Sequence, residues 1–255
     1  MAFVTTLARI TVIEALRERL LWLAAIVILA GAALAQFLHQ VAITESREIQ
    51  AAVLAALLRV SAAFILSILV ISSVARESND KIMEVLLSFP VPRGRYVFGK
   101  FLGSAAVAVI LAVVFAVPLG FYAKPAGVLA WGTSLLCELL IVAAVSLFCV
   151  LTLTRTLSAL AAVAGFYLLA RSMAAIQVIA QAGPSGPPSL ADRAVAGGVD
   201  VIALLLPGLD RMTDTAWLLH GAPGAGLLGT IAAQTALYVA LIVAAALFDL
   251  HRKNF

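Results

Sequence analysis

Three ionisable side chains lie inside otherwise apolar segments, and they are the first candidates for chemistry. Glu138 lies about ten residues from one end of its segment, and Arg171 and Arg59 lie about nine and six residues from the ends of theirs. At 1.5 Å per residue, all three come roughly 9–15 Å below the same surface. Charges at such depth are costly unless they are paired. The sequence therefore predicts either a Glu138–Arg171 or Glu138–Arg59 ion pair that locks the structure, or an arginine that meets an anionic substrate group.

A second candidate is the segment Arg76–Lys100, which concentrates eight charged residues in a chain that is 64% hydrophobic. The apolar residues Ile82, Leu86 and Phe89 recur at helical spacing, and Pro90 follows them. The opposite face carries Glu77, Lys81, Glu84 and Ser88. This pattern predicts a short amphipathic helix at about 77–88 whose charged face is either simply solvated or a docking surface for a soluble partner.

The same segment contains an apparent phosphate-binding motif, which we reject. Gly94–Lys100 fits G-x-x-x-x-G-K, but the next residue is Phe101 and not the hydroxyl residue that would bind magnesium. No strand is predicted before the motif, so we expect no nucleotide site or other cofactor on this chain. We expect the basic residues in and directly before this motif to anchor at lipid headgroups instead. They are Arg93, Arg95 and Lys100.

These candidates must be positioned by helices that cross a membrane. Mean hydropathy is +1.11 and 12% of the residues are charged, which is typical of an integral membrane protein. Apolar runs of about 20 residues predict spanning helices. We expect an all-α polytopic membrane protein in a single domain, with an amphipathic N-terminal segment before the first of six transmembrane helices. The spans are predicted at about 20–38, 53–75, 101–122, 128–153, 157–180 and 224–248.

The charges of the connecting segments orient this predicted bundle. Six spans place both termini and the Arg76–Lys100 loop on one side, with eleven Lys and Arg residues, against four on the other side. The positive-inside rule then makes both termini and this loop cytoplasmic. On the other side, the predicted outer loop 181–223 contains an apolar run, Val199–Leu206, that is too short to cross and is interpreted as a buried or re-entrant half-helix.

The charged segment resembles the first cytosolic loop of type-2 ATP-binding-cassette (ABC-2) export permeases. The resemblance is carried by Arg76-Glu77, Met83-Glu84, Leu86-Leu87-Ser88, Pro90, Arg93 and Gly99-Lys100. It departs from the family pattern at Asp80-Lys81, where the family has a glycine-threonine step. In size and plan the chain is similar to permeases of the copper-enzyme maturation type.

This resemblance implies a function and a set of partners. The predicted 77–88 helix would couple the permease to a separate ABC ATPase, which binds ATP and magnesium on its own chain. The implied ATPase-coupling residues are Glu77, Lys81, Glu84, Ser88 and Arg93. Glu77 and Glu84 are expected to be exposed and to contact the ATPase. A second copy or a similar permease would complete the path in the plasma (inner) membrane.

Two functions of other classes remain open. One is an ion-coupled secondary transporter that uses Glu138, and the other is a membrane-embedded enzyme with Glu138 as acid or base. The sequence shows no clear inverted repeat, and only arginines lie at the depth of Glu138. The chain carries no metal-ligand motif and no basic stripe interleaved with aromatic residues, so we expect neither a metal site nor nucleic-acid binding.

Overall fold

The computed structural model describes residues 2–17, 20–41, 46–80, 93–153, 155–182, 190–212 and 214–252. The described residues form α-helices joined by short turns, without strands. The helices are α1 (Ala2–Arg17), α2 (Leu20–Val41), α3 (Ser46–Asn79), α4 (Arg93–Leu119), α5 (Pro125–Thr152), α6 (Thr156–Ala182), α7 (Leu190–Leu205), α8 (Ala216–His220) and α9 (Ala225–Arg252), with a 3₁₀ turn at Leu209–Arg211.

Five of the described helices are long and apolar enough to cross a membrane, and they are α3, α4, α5, α6 and α9. The segments Phe3–Arg17 and Trp22–Phe37 pass the same test when they are taken together, with a bend of 53° between them. If this bent pair is one span, the described residues contain up to six spans. The prediction of an all-α polytopic membrane protein is therefore confirmed.

Helices α3 and α5 form the centre of the bundle. Every residue from Ile141 to Leu147 of α5 is buried, so this stretch of the helix is covered on all sides. The apolar windows of α3 and α5 are each 61% buried, against 28% for α6 and 22% for α9. The central helices thus position the buried polar residues, while α6 and α9 leave wide faces uncovered by the described part of the chain.

Helix α1 packs closely along the first half of α4, because two glycines remove the side chains between them. A Cβ atom added at Gly99 would lie 2.8 Å from Leu7 Cδ2, and one added at Gly103 would lie 2.6 Å from Thr11 Cβ. This glycine pair is used for packing within the chain, and it brings α1 against the start of α4.

The helices are longer than the apolar segments that predicted them. Helix α3 begins at Ser46 and runs through Asn79, so Glu77 belongs to it and does not begin a separate helix. Residues 81–92 of the predicted coupling helix and its turn lie outside the described residues. Pro125 is the first residue of α5, where its fixed φ and missing N–H are compatible with a helix start.

The predicted outer loop also contains more helix than expected. Helix α7 begins at Leu190, nine residues before the predicted half-helix, and ends at Leu205 just before Pro207. The helices extend beyond the predicted apolar segments because their ends consist of polar residues. Backbone hydrogen bonding continues through these residues, although their low hydropathy does not indicate a span.

Candidate functional site

Six polar side chains meet where α3 ends and α4 begins, and we call them the loop-end network. The network consists of Glu14 of α1, Ser73, Arg76 and Glu77 of α3, and Tyr96 and Lys100 of α4. Spacings of three and four residues place the α3 members on one helix face and the α4 members on another. The Gly99 and Gly103 contacts bring Glu14 of α1 to the same place.

Lys100 lies at the centre of this network. Its Nζ is 2.6 Å from Glu77 Oε1, donates to Ser73 Oγ at 2.9 Å, and is 4.0 Å from Glu14 Oε2. The Tyr96 hydroxyl donates to Glu77 Oε2 at 2.7 Å, and Ser73 donates to Glu14 Oε2 at 2.7 Å. The two ends of the 81–92 segment are therefore joined by an ion pair.

Burial makes the pairing of Lys100 necessary. Lys100 is 1% exposed and the Glu77 side chain is 12% exposed, so neither charge is well solvated. A buried ammonium is stable only when nearby oxygen atoms replace its water. The guanidinium of Arg76 is 3.5 Å from Glu14 Oε1. Because the Arg76 side chain is 48% exposed, this pair contributes less to stability than the Lys100–Glu77 pair.

These contacts correct two expectations about the charged segment. Glu77 was expected on an exposed face, which is wrong, because its carboxylate turns inward to Lys100 and Tyr96. Lys100 was expected at lipid headgroups, which is also wrong. Lys81, Glu84 and Ser88 lie outside the described residues, and Arg93 is described only as the first residue of α4.

A second group of polar side chains, the buried-charge cluster, lies among α3, α5 and α6. Its members are Arg59, Glu138, Tyr167 and Arg171. Glu138 is fully buried, with Arg171 Nη1 3.7 Å from its Oε2. The Tyr167 hydroxyl donates to Glu138 Oε1 at 2.8 Å. The structure thus brings together the Glu138–Arg171 pair that the predicted depths allowed.

Arg171 also holds the segment that follows α7. Its Nη1 donates to the Leu209 carbonyl and, at 2.9 Å, to the Met212 carbonyl. One guanidinium therefore joins α5, α6 and the 3₁₀ turn. Arg59 is 8% exposed and within electrostatic range of Glu138, Arg171 and Asp214, so it adds a second positive charge to the cluster.

Several members of both groups were not singled out from the sequence. Tyr167 precedes Arg171 by one helical turn, a spacing that indicates a shared face but does not identify Glu138 as the partner. Glu14, Ser73 and Tyr96 belong to three different helices, and no local pattern links them. Only the packing of α1 and α3 on α4 brings them together.

Comparison with known protein families identifies a match. Residues 32–208 match the family model described as ABC-2 family transporter protein, a range that extends from α2 to the residue before the 3₁₀ turn. No curated protein matches the chain significantly.

Proposed function

The chain belongs to the ABC-2 family of transporter proteins, and from this premise we propose that it is the permease subunit of an ATP-driven exporter. Family membership supports a membrane transport subunit of an ABC transporter that works with an ATPase. The proposal adds that the ATPase, with its ATP and magnesium, is a separate chain and that transport is outward. It also adds that the chain belongs with permeases of the copper-enzyme maturation type, which it resembles in size and plan.

The observation that carries the coupling proposal is the buried Lys100–Glu77 ion pair. This pair joins the last turn of α3 to the first turns of α4 across the segment that contains Glu84. A push on the 81–92 segment would therefore move α3 and α4 together. Ser73 and Glu14 would extend the movement to α1.

In this proposal Glu84 contacts the ATPase, and Lys81, Ser88 and Arg93 belong to the same surface. The excess of Lys and Arg on this side of the predicted bundle supports a cytoplasmic position in the inner membrane, where ATP is available. Two permeases, as a homodimer or with a similar partner, would enclose the path. The weakly buried faces of α6 and α9 are compatible with such contacts.

The geometry favours this proposal over the two functions based on Glu138. A carboxylate that carries ions or catalyses a reaction needs access to its substrate. Glu138 is fully buried and is engaged by Arg171 and Tyr167, while Arg171 also binds two main-chain carbonyls. These contacts support a structural lock between the helices and the outer segment.

The proposal is tested by purifying the tagged chain together with the ABC ATPase encoded by a neighbouring gene. We expect a stable complex that hydrolyses ATP, and we expect Glu84→Arg to abolish the complex through charge reversal. Glu48→Arg is the matched control, because Glu48 is an exposed acid at the opposite end of α3. Failure of a well-folded wild-type chain to bind that ATPase would refute the proposal.

Lys100 provides a separate test of transmission. The double variant Lys100→Met/Glu77→Gln removes both buried charges and so avoids an unpaired one. We expect it to retain the ATPase but to lose about tenfold in the hydrolysis rate of the complex, which corresponds to roughly 1.4 kcal/mol in the activation barrier. An unchanged rate would show that the ion pair is structural only.

A further inference from the structure

A polar chamber of about 490 Å³ lies between α6, α7 and α9 and is bounded by the turn after α7. The polar side chains that line it come from each of these elements. They are Gln177 of α6, Asp200 of α7, Asp210 and Arg211 of the turn, and Gln234 and Tyr238 of α9. None of them belongs to the buried-charge cluster or the loop-end network.

Hydrogen bonds between the lining elements hold the walls of the chamber in place. Gln177 Nε2 donates to Asp200 Oδ1 at 3.2 Å, and the Tyr238 hydroxyl donates to the Leu206 carbonyl at 3.0 Å. The turn itself is held from its other side by Arg171, which binds the Leu209 and Met212 carbonyls. The chamber is therefore formed by linked elements.

The charges of the lining favour a cationic ligand. The lining contains two carboxylates, those of Asp200 and Asp210, and one guanidinium, that of Arg211. The Arg211 side chain is 82% exposed and its Nε is 3.9 Å from Asp210 Oδ2, so this pair is weak and screened by solvent. A methyl group built at Gly208 would lie 3.6 Å from both Asp210 Oδ1 and Gln234 Nε2, so these polar groups converge on one point of the turn.

The remaining lining is apolar, with Met173, Leu204 and Leu206 among its residues. Gln234 lies nine residues after the start of α9, which is roughly 14 Å along the helix at 1.5 Å per residue. A polar amide at this depth in a spanning helix indicates a function. A ligand that is complementary to the polar and the apolar part of the lining has a positively charged head with N–H donors and an alkyl chain.

We propose that the chamber binds the primary ammonium head of an amphiphile, with Asp200 and Asp210 as acceptors. The inference rests on the proposed function, since it names the class of molecule that the permease would carry. Such a head occurs on aminolipids of the bilayer and on free hydrophobic amines, and the experiment separates these two sources.

The probe is a dodecylamine that bears a photoreactive diazirine, added to the purified full chain in phosphatidylcholine nanodiscs. We expect saturable labelling of peptides from α7 and α9, about tenfold stronger than with the matched dodecanol probe, because a charge-assisted hydrogen bond is lost with the alcohol. Asp200→Asn preserves the shape and the Gln177 contact and should weaken amine labelling about tenfold. Arg211→Gln removes the opposing cation and should strengthen it about twofold.

Opposite effects of the two substitutions cannot both result from misfolding. Replacing phosphatidylcholine with phosphatidylethanolamine, which has the same net charge but a primary ammonium, should suppress labelling if the ligand is an aminolipid. Labelling that persists supports a free amine.

Equal labelling by amine and alcohol, or the same direction of change in both variants, would overturn the proposal. Because binding is measured without the ATPase, this failure is distinct from failure of the ATPase complex.

Discussion

At the scale of single residues, the charges that matter are those removed from water. Glu138 and Lys100 are 0% and 1% exposed, and each has several oxygen or nitrogen partners from other helices. The cost of burying such a charge is offset only while its partners stay in place. The free energy of unfolding therefore depends on neighbouring helices that hold the partners of both residues in place.

We expect replacement of either partner in the Glu138–Arg171 pair to destabilise the chain strongly. Glu138→Leu and Arg171→Leu should each cost on the order of 3 kcal/mol, because the other charge stays buried without its counter-ion. The double variant should lose clearly less than the sum of the two. The free energy of unfolding, measured by denaturant titration in mixed micelles, provides the comparison.

Tyr167→Phe is the control for this cycle. It retains the edge-to-face contact with Phe64, at 6.1 Å between ring centroids, and removes only the hydroxyl that donates to Glu138. We expect it to cost about 2 kcal/mol, as for one hydrogen bond to a charged group. Strictly additive losses in the Glu138–Arg171 cycle would show that the two side chains do not interact.

At the scale of the helices, α3 links the two polar groups. It contains Arg59 of the buried-charge cluster and Glu77 of the loop-end network, eighteen residues apart and so roughly 27 Å along one continuous helix. Helix α1 reaches the same network only because Gly99 and Gly103 allow it to approach α4. The packing of α1 on α4 is therefore a requirement for the network.

We expect Gly103→Ala to push α1 away from α4, because the new Cβ would overlap Thr11. The cost of such overpacking is typically about 1–3 kcal/mol, and hydrogen–deuterium exchange in α1 should rise. Gly165→Ala is the matched control, since a Cβ there meets no atom within 4 Å of it and alanine favours a helix. Equal exchange in α1 for both variants would contradict the proposed packing.

At the scale of the whole molecule, burial is uneven. Helices α3 and α5 are the more buried ones, while α6 and α9 are largely uncovered by the described residues, with large apolar side chains such as Ile179 and Leu237 exposed. Apolar faces of this extent require lipid or another subunit around them. The orientation of this bundle decides whether the loop-end network faces the ATPase.

We expect the two ends of α3 to lie on opposite sides of the membrane. In a variant in which Cys137 and Cys149 are replaced by alanine, single cysteines at Glu48 and Asn79 are labelled in intact cells with a membrane-impermeant maleimide. Both positions are exposed at the helix ends. Glu48→Cys should react and Asn79→Cys should not, until the cells are opened. The reverse result would place the charged segment outside and exclude cytoplasmic coupling.

The amino-acid sequence alone was sufficient to predict an all-α polytopic membrane protein. Long apolar runs can satisfy their backbone only as helices in lipid, so composition is sufficient for this conclusion. It also identified Arg59, Glu138 and Arg171 as unusual, because charges within apolar segments are visible without any structure. The family match over residues 32–208 agrees with the resemblance seen in Arg76–Lys100.

The pairing and the exposure of the charged side chains follow from the packing of the helices and could not be predicted from the sequence. Glu77 was expected to face solvent, but its helix continues through Asn79 and turns the carboxylate to Lys100. The contacts of Glu14 with Ser73 and of Arg171 with Leu209 join residues 59 and 38 positions apart. Helical periodicity relates only residues within a few turns, so such contacts depend on how the helices rotate and pack against one another.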